Sequence, residues 1–506
     1  MLSQYTPPML RTIRITIAVL TFTGLLLLFL DFTGTLHHYL AWLAKAQFVP
    51  AVLGINLLVI VCLIVLTLLF GRVYCSMVCP LGIFQDLIAR LRTQRSKLPY
   101  RYTKAHSWLR YGVLSLFVLA LVSGLGSLAA VIEPYSIFGR ATQNLLSPLT
   151  EWISSLLAYG TQRADSYSIY GEDVWVRSLP TWIVALLSIL VVGVLAYRGG
   201  RTYCNTICPV GTFLGFLSRY SLMKVRIAQD KCVSCGICAR HCKASCIDSK
   251  NHAIDYSRCV ACGNCLRHCS HGALTYGRLL AQPNQKEAPA PQSEVDTSRR
   301  TFLWTLGGVT ASAALSPIAM KALGGLAAVE GTVIPKRSIP ITPPGSLSAM
   351  HLAQHCTACQ LCVSQCPTKV LRPSERLMTL MQPEMNYERG WCLPSCNTCG
   401  NVCPTGAIQP IAEGKKTSVQ IGHAVWLRRN CIVTREETAD AIQCGRCAEV
   451  CPRGAIRMMP DPTQKQRLIP VVNIPSCIGC GACENHCPAR PFFGIYVEGH
   501  EQHSTR

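Results

Sequence analysis

Six sets of four cysteines constrain this chain more than any other feature. Cys232, Cys235, Cys238 and Cys242 are separated by two, two and three residues. Cys259, Cys262, Cys265 and Cys269 repeat that spacing. So do Cys356, Cys359, Cys362 and Cys366, followed by Pro367, and Cys477, Cys480, Cys483 and Cys487, followed by Pro488. Two variants lie between them: Cys392, Cys396, Cys399 and Cys403 before Pro404, and Cys431, Cys444, Cys447 and Cys451 before Pro452. Disulfide scaffolds are short secreted chains, whereas this one has 506 residues and 30 cysteines. The regular spacing points to metal instead.

Two residues between ligands let a tight loop wrap three thiolates around one metal core. The fourth Cys lies beyond a turn and reaches the neighbouring core. This is the bacterial ferredoxin spacing, and soft thiolate suits iron–sulfur iron. A single C-x-x-C pair also serves zinc; four regular runs and two variants point to six [4Fe–4S] clusters. In the first pair of runs, crossed ligation would join Cys232, Cys235 and Cys238 with Cys269, and Cys259, Cys262 and Cys265 with Cys242. Lys243 and Ser270 stand where Pro usually follows. Cys246 is an extra thiol that could substitute for Cys242, and is expected instead to be a small buried residue.

Apolar residues make up 50% of the chain and charged residues 15%, which points to a membrane protein. Four apolar runs, Ile15–Leu30, Ala51–Phe70, Tyr111–Ile132 and Thr181–Tyr197, approach the ~20 residues of a spanning helix. A weaker fifth covers Phe302–Leu323. Segment 71–108 holds seven Lys/Arg against Asp86 alone, whereas 131–180 holds three basic and five acidic residues. By the positive-inside rule, 71–108 and the stretch after Tyr197 face the cytoplasm. The net charge of +22 reads as flanks of these runs. No basic-aromatic array suggests nucleic acid.

The chain also repeats itself. "GRVYCSMVCPLGIF" begins at Gly71 and "GRTYCNTICPVGTF" at Gly200, each after an apolar run. The repeat predicts two similar helical units related by an approximate two-fold. Residues four apart share a helical face, and Pro80 and Pro209 suit a first helical turn. Cys75, Cys79, Cys204 and Cys208 would then form one four-thiolate metal site at the cytoplasmic membrane edge. A seventh cubane is the preferred occupant, with zinc and free redox thiols as alternatives.

Residues 280–297 read as a Pro/Ala-rich linker. Arg299 and Arg300 open a mild apolar stretch that resembles a twin-arginine export signal. That route carries folded cargo, as loaded clusters require. At this point the chain resembles two known families joined end to end. Residues 1–279 resemble the NapH type of membrane ferredoxin. Residues 298–495 resemble the NapG type of exported four-cluster ferredoxin, including "CPTGAI", "IGHAVWLRRNC" and "CGRCAEVCP". The expected fold is an α-helical bundle of four spans plus a fifth helix, carrying α+β ferredoxin domains. The expected division is 1–220 membrane, 221–279 cytoplasmic two-cluster ferredoxin, 298–329 export helix and 330–506 periplasmic four-cluster domain. By this resemblance, the first exported run pairs with the fourth and the second with the third.

The resemblance implies a quinol dehydrogenase of the bacterial inner membrane that feeds a periplasmic reductase or cytochrome. The alternative is an accessory factor that matures or reduces the metal of a respiratory enzyme. No C-x-x-C-H haem attachment, dinucleotide fingerprint or nucleophile-base set is present. His37, His38 and Glu133 are candidates for handling quinol protons, with interfacial polar roles three times as favoured. Asn56 is expected to pack between helices. With no ligand set in mid-membrane and a hydrocarbon core of ~30 Å, the sequence leaves open whether the cytoplasmic and exported clusters are wired directly, bridged by a partner subunit or linked by quinol shuttling between them.

Overall fold

A computed structural model describes residues 7–31, 34–95, 100–163, 177–278, 335–412, 414–435, 443–464 and 467–505. The linker, the Arg299-Arg300 pair and the fifth apolar run lie outside them.

The N-terminal region is helical. α1 covers Pro7–Phe29, α2 Leu36–Lys45, α3 Phe48–Leu53, α4 Leu57–Phe70, α5 Tyr74–Met77 and α6 Pro80–Arg95. α7 covers Ser107–Val122, α8 Gly126–Ile132, α9 Pro134–Ala141, α10 Ser147–Arg163, α11 Leu179–Gly199, α12 Thr202–Thr206 and α13 Pro209–Ser218. Among the described residues, two helical stretches are long and apolar enough to cross a membrane, Arg11–Phe29 and Leu179–Gly199.

The second and third apolar runs are not single helices, contrary to the sequence expectation. Ile55 adopts a positive φ of 50° after Gly54, and this breaks the first of them. Asn56 then caps α4, its Oδ1 accepting from the Val59 amide at 3.4 Å. It is a cap rather than a packing residue. In the third run Gly124 turns at φ 76°, and Pro134 starts a new helix behind the N-cap Glu133. Proline lacks the amide that would continue α8.

The breaks obey the internal repeat. α2 and α3 meet at Gln47, whose Oε1 accepts from the Tyr74 hydroxyl at 3.0 Å. α8 and α9 meet at Glu133, and the Tyr203 hydroxyl donates to the adjoining Ile132 carbonyl at 2.7 Å. Tyr74 and Tyr203 are equivalent in the repeat, so each copy ties its broken helix pair to its Cys-x-x-x-Cys-Pro turn. Gly71 and Gly200 end α4 and α11 at φ 77° and 71°, a positive φ that glycine adopts freely. A Cβ on Gly200 would sit 2.3 Å from the Lys243 carbonyl oxygen.

Two cysteine-rich units pack on opposite ends of these helices. In the first, β1 (Met223–Ile227) pairs with β4 (Leu274–Arg278), and β2 (Ile247–Asp248) with β3 (Ala253–Ile254), all antiparallel. The C-terminal unit contains β5–β6 (Leu371–Pro373, Pro383–Met385) and β8–β9 (Ile456–Pro460, Leu468–Val472). Its longest pairing joins β7 (Val419–Trp426) to β10 (Ile495–Thr505). α11 meets the C-terminal unit at its start, where the Ser178 hydroxyl donates to Glu375. It meets the first unit at its end, where the Arg201 amide donates to the Lys243 carbonyl at 2.8 Å. Its 21 residues span about 31 Å at 1.5 Å per residue. α1 runs the opposite way between the same two ends: the Leu28 carbonyl near its end accepts from Gln365, and Arg14 in its first half pairs with Asp86.

Asp86 on α6 binds four elements together. It accepts from Arg14 at 3.2 Å, from Arg201 at 2.7 Å and from Lys243. Lys243 occupies the position after the fourth Cys where Pro was expected; it exchanges a stiff turn for an ion pair that docks the first cysteine-rich unit. Burial alone would raise the Asp86 pKa, but Arg201 and Lys243 hold it well below the carboxylate range. Removing one partner of a buried ionic group leaves the others uncompensated, at about 3–5 kcal/mol. Asp86→Asn is therefore expected to lower the thermal midpoint of the purified protein and expose 223–278 to protease, measured by limited proteolysis during a melt.

Candidate metal centres

The two Cys-x-x-x-Cys-Pro turns meet between the cysteine-rich units. Cys75 lies on α5 and Cys204 on α12. Cys79 and Cys208 immediately precede Pro80 and Pro209, the first residues of α6 and α13. All four thiols are 3–4% exposed and share one buried core. The turns are clasped reciprocally. Arg72 donates to the Cys204 carbonyl at 3.1 Å, and its equivalent Arg201 donates to the Cys75 carbonyl at 2.5 Å. Gly82 and Gly211 lie under these same carbonyls, where a Cβ would approach to 2.2 and 2.3 Å. Both arginines are fully buried.

The sulfurs also receive donors. Gln85 Nε2 lies 3.2 Å from Cys204 Sγ, the Gly211 amide 3.3 Å from Cys208 Sγ, and Arg72 Nη2 3.8 Å from Cys75 Sγ. Such donors and cations suit thiolates that bind a metal core. Among the described residues, no three Cys, His, Asp or Glu side chains converge closely enough for a single ion. A lone zinc with Zn–S near 2.3 Å would draw its sulfurs to within roughly 4 Å of each other. The four thiols share one buried core without closing to that spacing.

In the first cysteine-rich unit, one cavity is lined by Cys232, Cys235, Cys238 and Cys269. Another is lined by Cys242, Cys259, Cys262 and Cys265, with Cys246. These are the crossed sets. Cys246 is buried, with its sulfur 3.5 Å from Cys242 Sγ. It borders the second set more closely than a filler residue needs to.

The C-terminal sets pair differently from the expectation. Cys451 lines a cavity with Cys477, Cys480 and Cys483, and Cys487 lines another with Cys431, Cys444 and Cys447. Cys403 stands with Cys356, Cys359 and Cys362, and Cys366 with Cys392, Cys396 and Cys399. The first run therefore pairs with the second, and the third with the fourth. Each couple closes locally, helix 361–364 packing on 398–402 and 446–449 on 482–485, so neither needs a long loop to close. The Cys392 amide donates to the Cys480 carbonyl at 2.9 Å and joins the two couples.

The remaining candidates separate. Asp31 accepts from the amides of Gly34 and His37, and the rings of His37 and His38 lie 4.1 Å apart. Glu133 is buried at the α8–α9 break, accepting from the Ser136 amide. They do not form one site. The arginine clasp was missed from sequence, although Arg72 and Arg201 are identical positions of the repeat.

Helical packing around cysteine sets of this spacing defines a ferredoxin-type iron–sulfur electron-transfer protein. A family profile described as a 4Fe-4S binding domain matches residues 52–99, 179–228 and 399–429. A second profile of that description matches 252–275, and a 4Fe-4S dicluster domain matches 442–490. The ferredoxin-type protein MauM of methylamine utilization in Paracoccus denitrificans is 33% identical over 34% of this chain and 77% of its own length. The chain belongs with it to the ferredoxin-type 4Fe-4S proteins. The ferredoxin-type protein NapH of Haemophilus influenzae is 29% identical over 34% of this chain, and the putative electron transport protein YccM of Escherichia coli 25% over 38%. The chain spans about half the length of these two relatives, 47% of each. No solved structure matches the chain.

Cys246→Ala is expected to retain the iron of the wild type, whereas Cys242→Ser loses a cluster's complement, about four irons. Iron and sulfide analysis of both purified variants checks the assignment of Cys242 over its neighbour.

Proposed function

We propose that this protein is a membrane quinol dehydrogenase whose cysteine sets stand in series from one face of the membrane to the other. The observation that carries the reading is the packing on either side of the cage. Val260, beside Cys259 and Cys262, shares the cage's buried core. On the other side, Ile137 of α9 belongs to that core, while Tyr135 and Phe138 of the same helix belong to the core of Cys359 and Cys362. One helix therefore separates the cage from the first C-terminal set, and packed helices lie about 8–10 Å apart. In this reading the two ends are wired directly, as a compact series. The cage is an internal station of that series as well as a thiolate site near the basic flank.

Membrane placement is supported by apolar side chains left outside the packed core, among them Leu20, Leu58, Leu119, Val122 and Leu190, each more than half exposed. The chain leaves the first cysteine-rich unit at Arg278 and re-enters the C-terminal unit near residue 335, at the opposite end of α11. The intervening sequence carries Arg299-Arg300 and the fifth apolar run, as a membrane crossing coupled to folded export would require. The C-terminal unit is then periplasmic and delivers electrons to a partner there.

Six ferredoxin-type sets hold [4Fe–4S] clusters in this reading, and the Cys75, Cys79, Cys204 and Cys208 cage a seventh. Clusters supply one-electron steps at potentials set by charge, burial and hydrogen bonds. The buried Arg72 and Arg201 offset the thiolate charge at the cage.

Purified protein is expected to contain about 28 irons, falling to about 24 in Cys204→Ser. Adding a reduced menaquinol analogue is expected to bleach the cluster absorption of the wild type. An iron-replete protein with no bleaching overturns the dehydrogenase reading, and equal iron in both proteins removes the seventh cluster. Arg299→Lys together with Arg300→Lys is expected to leave the C-terminal unit inaccessible to protease in spheroplasts; unchanged cleavage rejects the twin-arginine route.

A further inference from the structure

The described part of the molecule holds several buried tyrosines near cysteine sets. Three have hydroxyl partners: Tyr74 bonds Gln47, Tyr203 bonds the Ile132 carbonyl, and Tyr387 bonds the Gly479 carbonyl at 2.6 Å. Tyr135 is different. It is 1% exposed, and its hydroxyl has no hydrogen-bond partner among the described residues. A buried tyrosine hydroxyl normally finds an acceptor, and an orphan one calls for an explanation.

The surroundings supply one. Tyr135 shares a buried core with Cys359 and Cys362. Its hydroxyl lies within electrostatic range of Cys359, Cys362 and Cys403, three members of one four-cysteine set. The helix that carries it is held against the same loop. Ser136 donates to the Thr357 carbonyl at 2.6 Å, and Asn144, just beyond α9, donates to Gln360 at 2.7 Å. Gly139 approaches so closely that a Cβ would lie 2.3 Å from the Cys359 carbonyl oxygen. Tyr135 is thus fixed at that set by contacts on both sides of it in sequence. Glu133, two residues before it, accepts from the Ser136 amide and makes no hydrogen bond with the Tyr135 hydroxyl.

We propose that Tyr135, a residue of the helical unit, donates an O–H···S hydrogen bond to the iron–sulfur centre held by Cys356, Cys359, Cys362 and Cys403. The inference rests on the reading of those four cysteines as a cluster site. A donor to cluster sulfur favours the reduced, more negative state, and so raises its potential. Docking of the C-terminal unit on α9 thereby sets the potential of the centre nearest the helices. This centre becomes the favoured acceptor for electrons arriving through the helical unit. Tyr135 is a positioning and tuning residue, since no bond of it forms or breaks.

The test uses the full chain in detergent. Tyr135→Phe keeps the ring and removes only the hydroxyl. Redox titration followed by EPR is expected to show one midpoint potential shifted downward, the others unchanged and iron content equal to wild type. Unchanged midpoints in an iron-replete variant overturn the inference while leaving the cluster assignment standing. In a second measurement on wild type, exchange into deuterium oxide and pulsed EPR of the reduced centre should reveal a strongly coupled exchangeable proton that is absent from Tyr135→Phe. Its absence from the wild type also overturns the inference. A wild type without iron at the four cysteines would instead reject the cluster reading itself.

Discussion

The reciprocal clasp of Arg72 and Arg201 holds this structure together at its centre. Each arginine leaves its own Cys-x-x-x-Cys-Pro turn and bonds the carbonyl of the other copy's first cysteine. Neither turn can take its position without its partner. Arg72 also reaches Asn205 and the Ser257 carbonyl, both at 3.0 Å. Arg201 is anchored by Asp86, which in turn binds Arg14 and Lys243. The cage, the two helical copies and the first cysteine-rich unit are therefore one electrostatic assembly. Buried guanidinium groups are costly to desolvate, so such an arrangement persists only when the donors are engaged and negative charge lies near. Four thiolates around a metal core would supply that charge.

Broken helices follow from the same requirement. A continuous helix satisfies its own backbone and presents only side chains to its neighbours. The breaks at Gln47 and Glu133 free carbonyls, amides and polar side chains for contacts with Tyr74, Tyr203 and the loop 357–360. Irregular backbone of this kind is tolerated inside apolar surroundings where protein covers it. Here the C-terminal unit provides the cover. Gly126, at the start of α8, lies so close to the Ala353 carbonyl that a Cβ would come within 2.5 Å. The core joining Leu25, Leu28, Phe29 and Phe138 to Leu361 and Val363 is continuous across the contact. In the proposed relay, that close seating keeps the distance between stations short.

The two copies of the repeat have diverged where their surroundings differ. Gln47 and Glu133 occupy matching breaks, yet Gln47 receives a tyrosine hydroxyl while Glu133 caps the next helix. The hydroxyl in the second copy turns instead to the backbone beside the break. Asp86 has no acidic equivalent in α13, because that helix packs on the first cysteine-rich unit through other groups, such as Ser218 to the Tyr256 carbonyl. The symmetry therefore governs the cage itself and relaxes outside it.

The cysteine spacing by itself determined the ferredoxin-type chemistry, because a short loop with two residues between thiolates can do little else six times in one chain. The duplicated Gly-Arg-x-Tyr-Cys motif likewise determined that two equivalent turns exist, since the same residues must satisfy the same local backbone. Partnership between distant cysteines was a different matter. Cys403 joins Cys356, and Cys451 joins Cys477, through packing of neighbouring short helices, which motif order cannot express. The α3–α4 and α7–α8 breaks were hidden because hydropathy averages over a window, whereas a single positive φ acts at one residue. Only the tertiary structure could place Tyr135 without a partner beside three cysteines more than two hundred positions away, because burial and orphaned hydrogen bonds are properties of packed surfaces, not of the chain order.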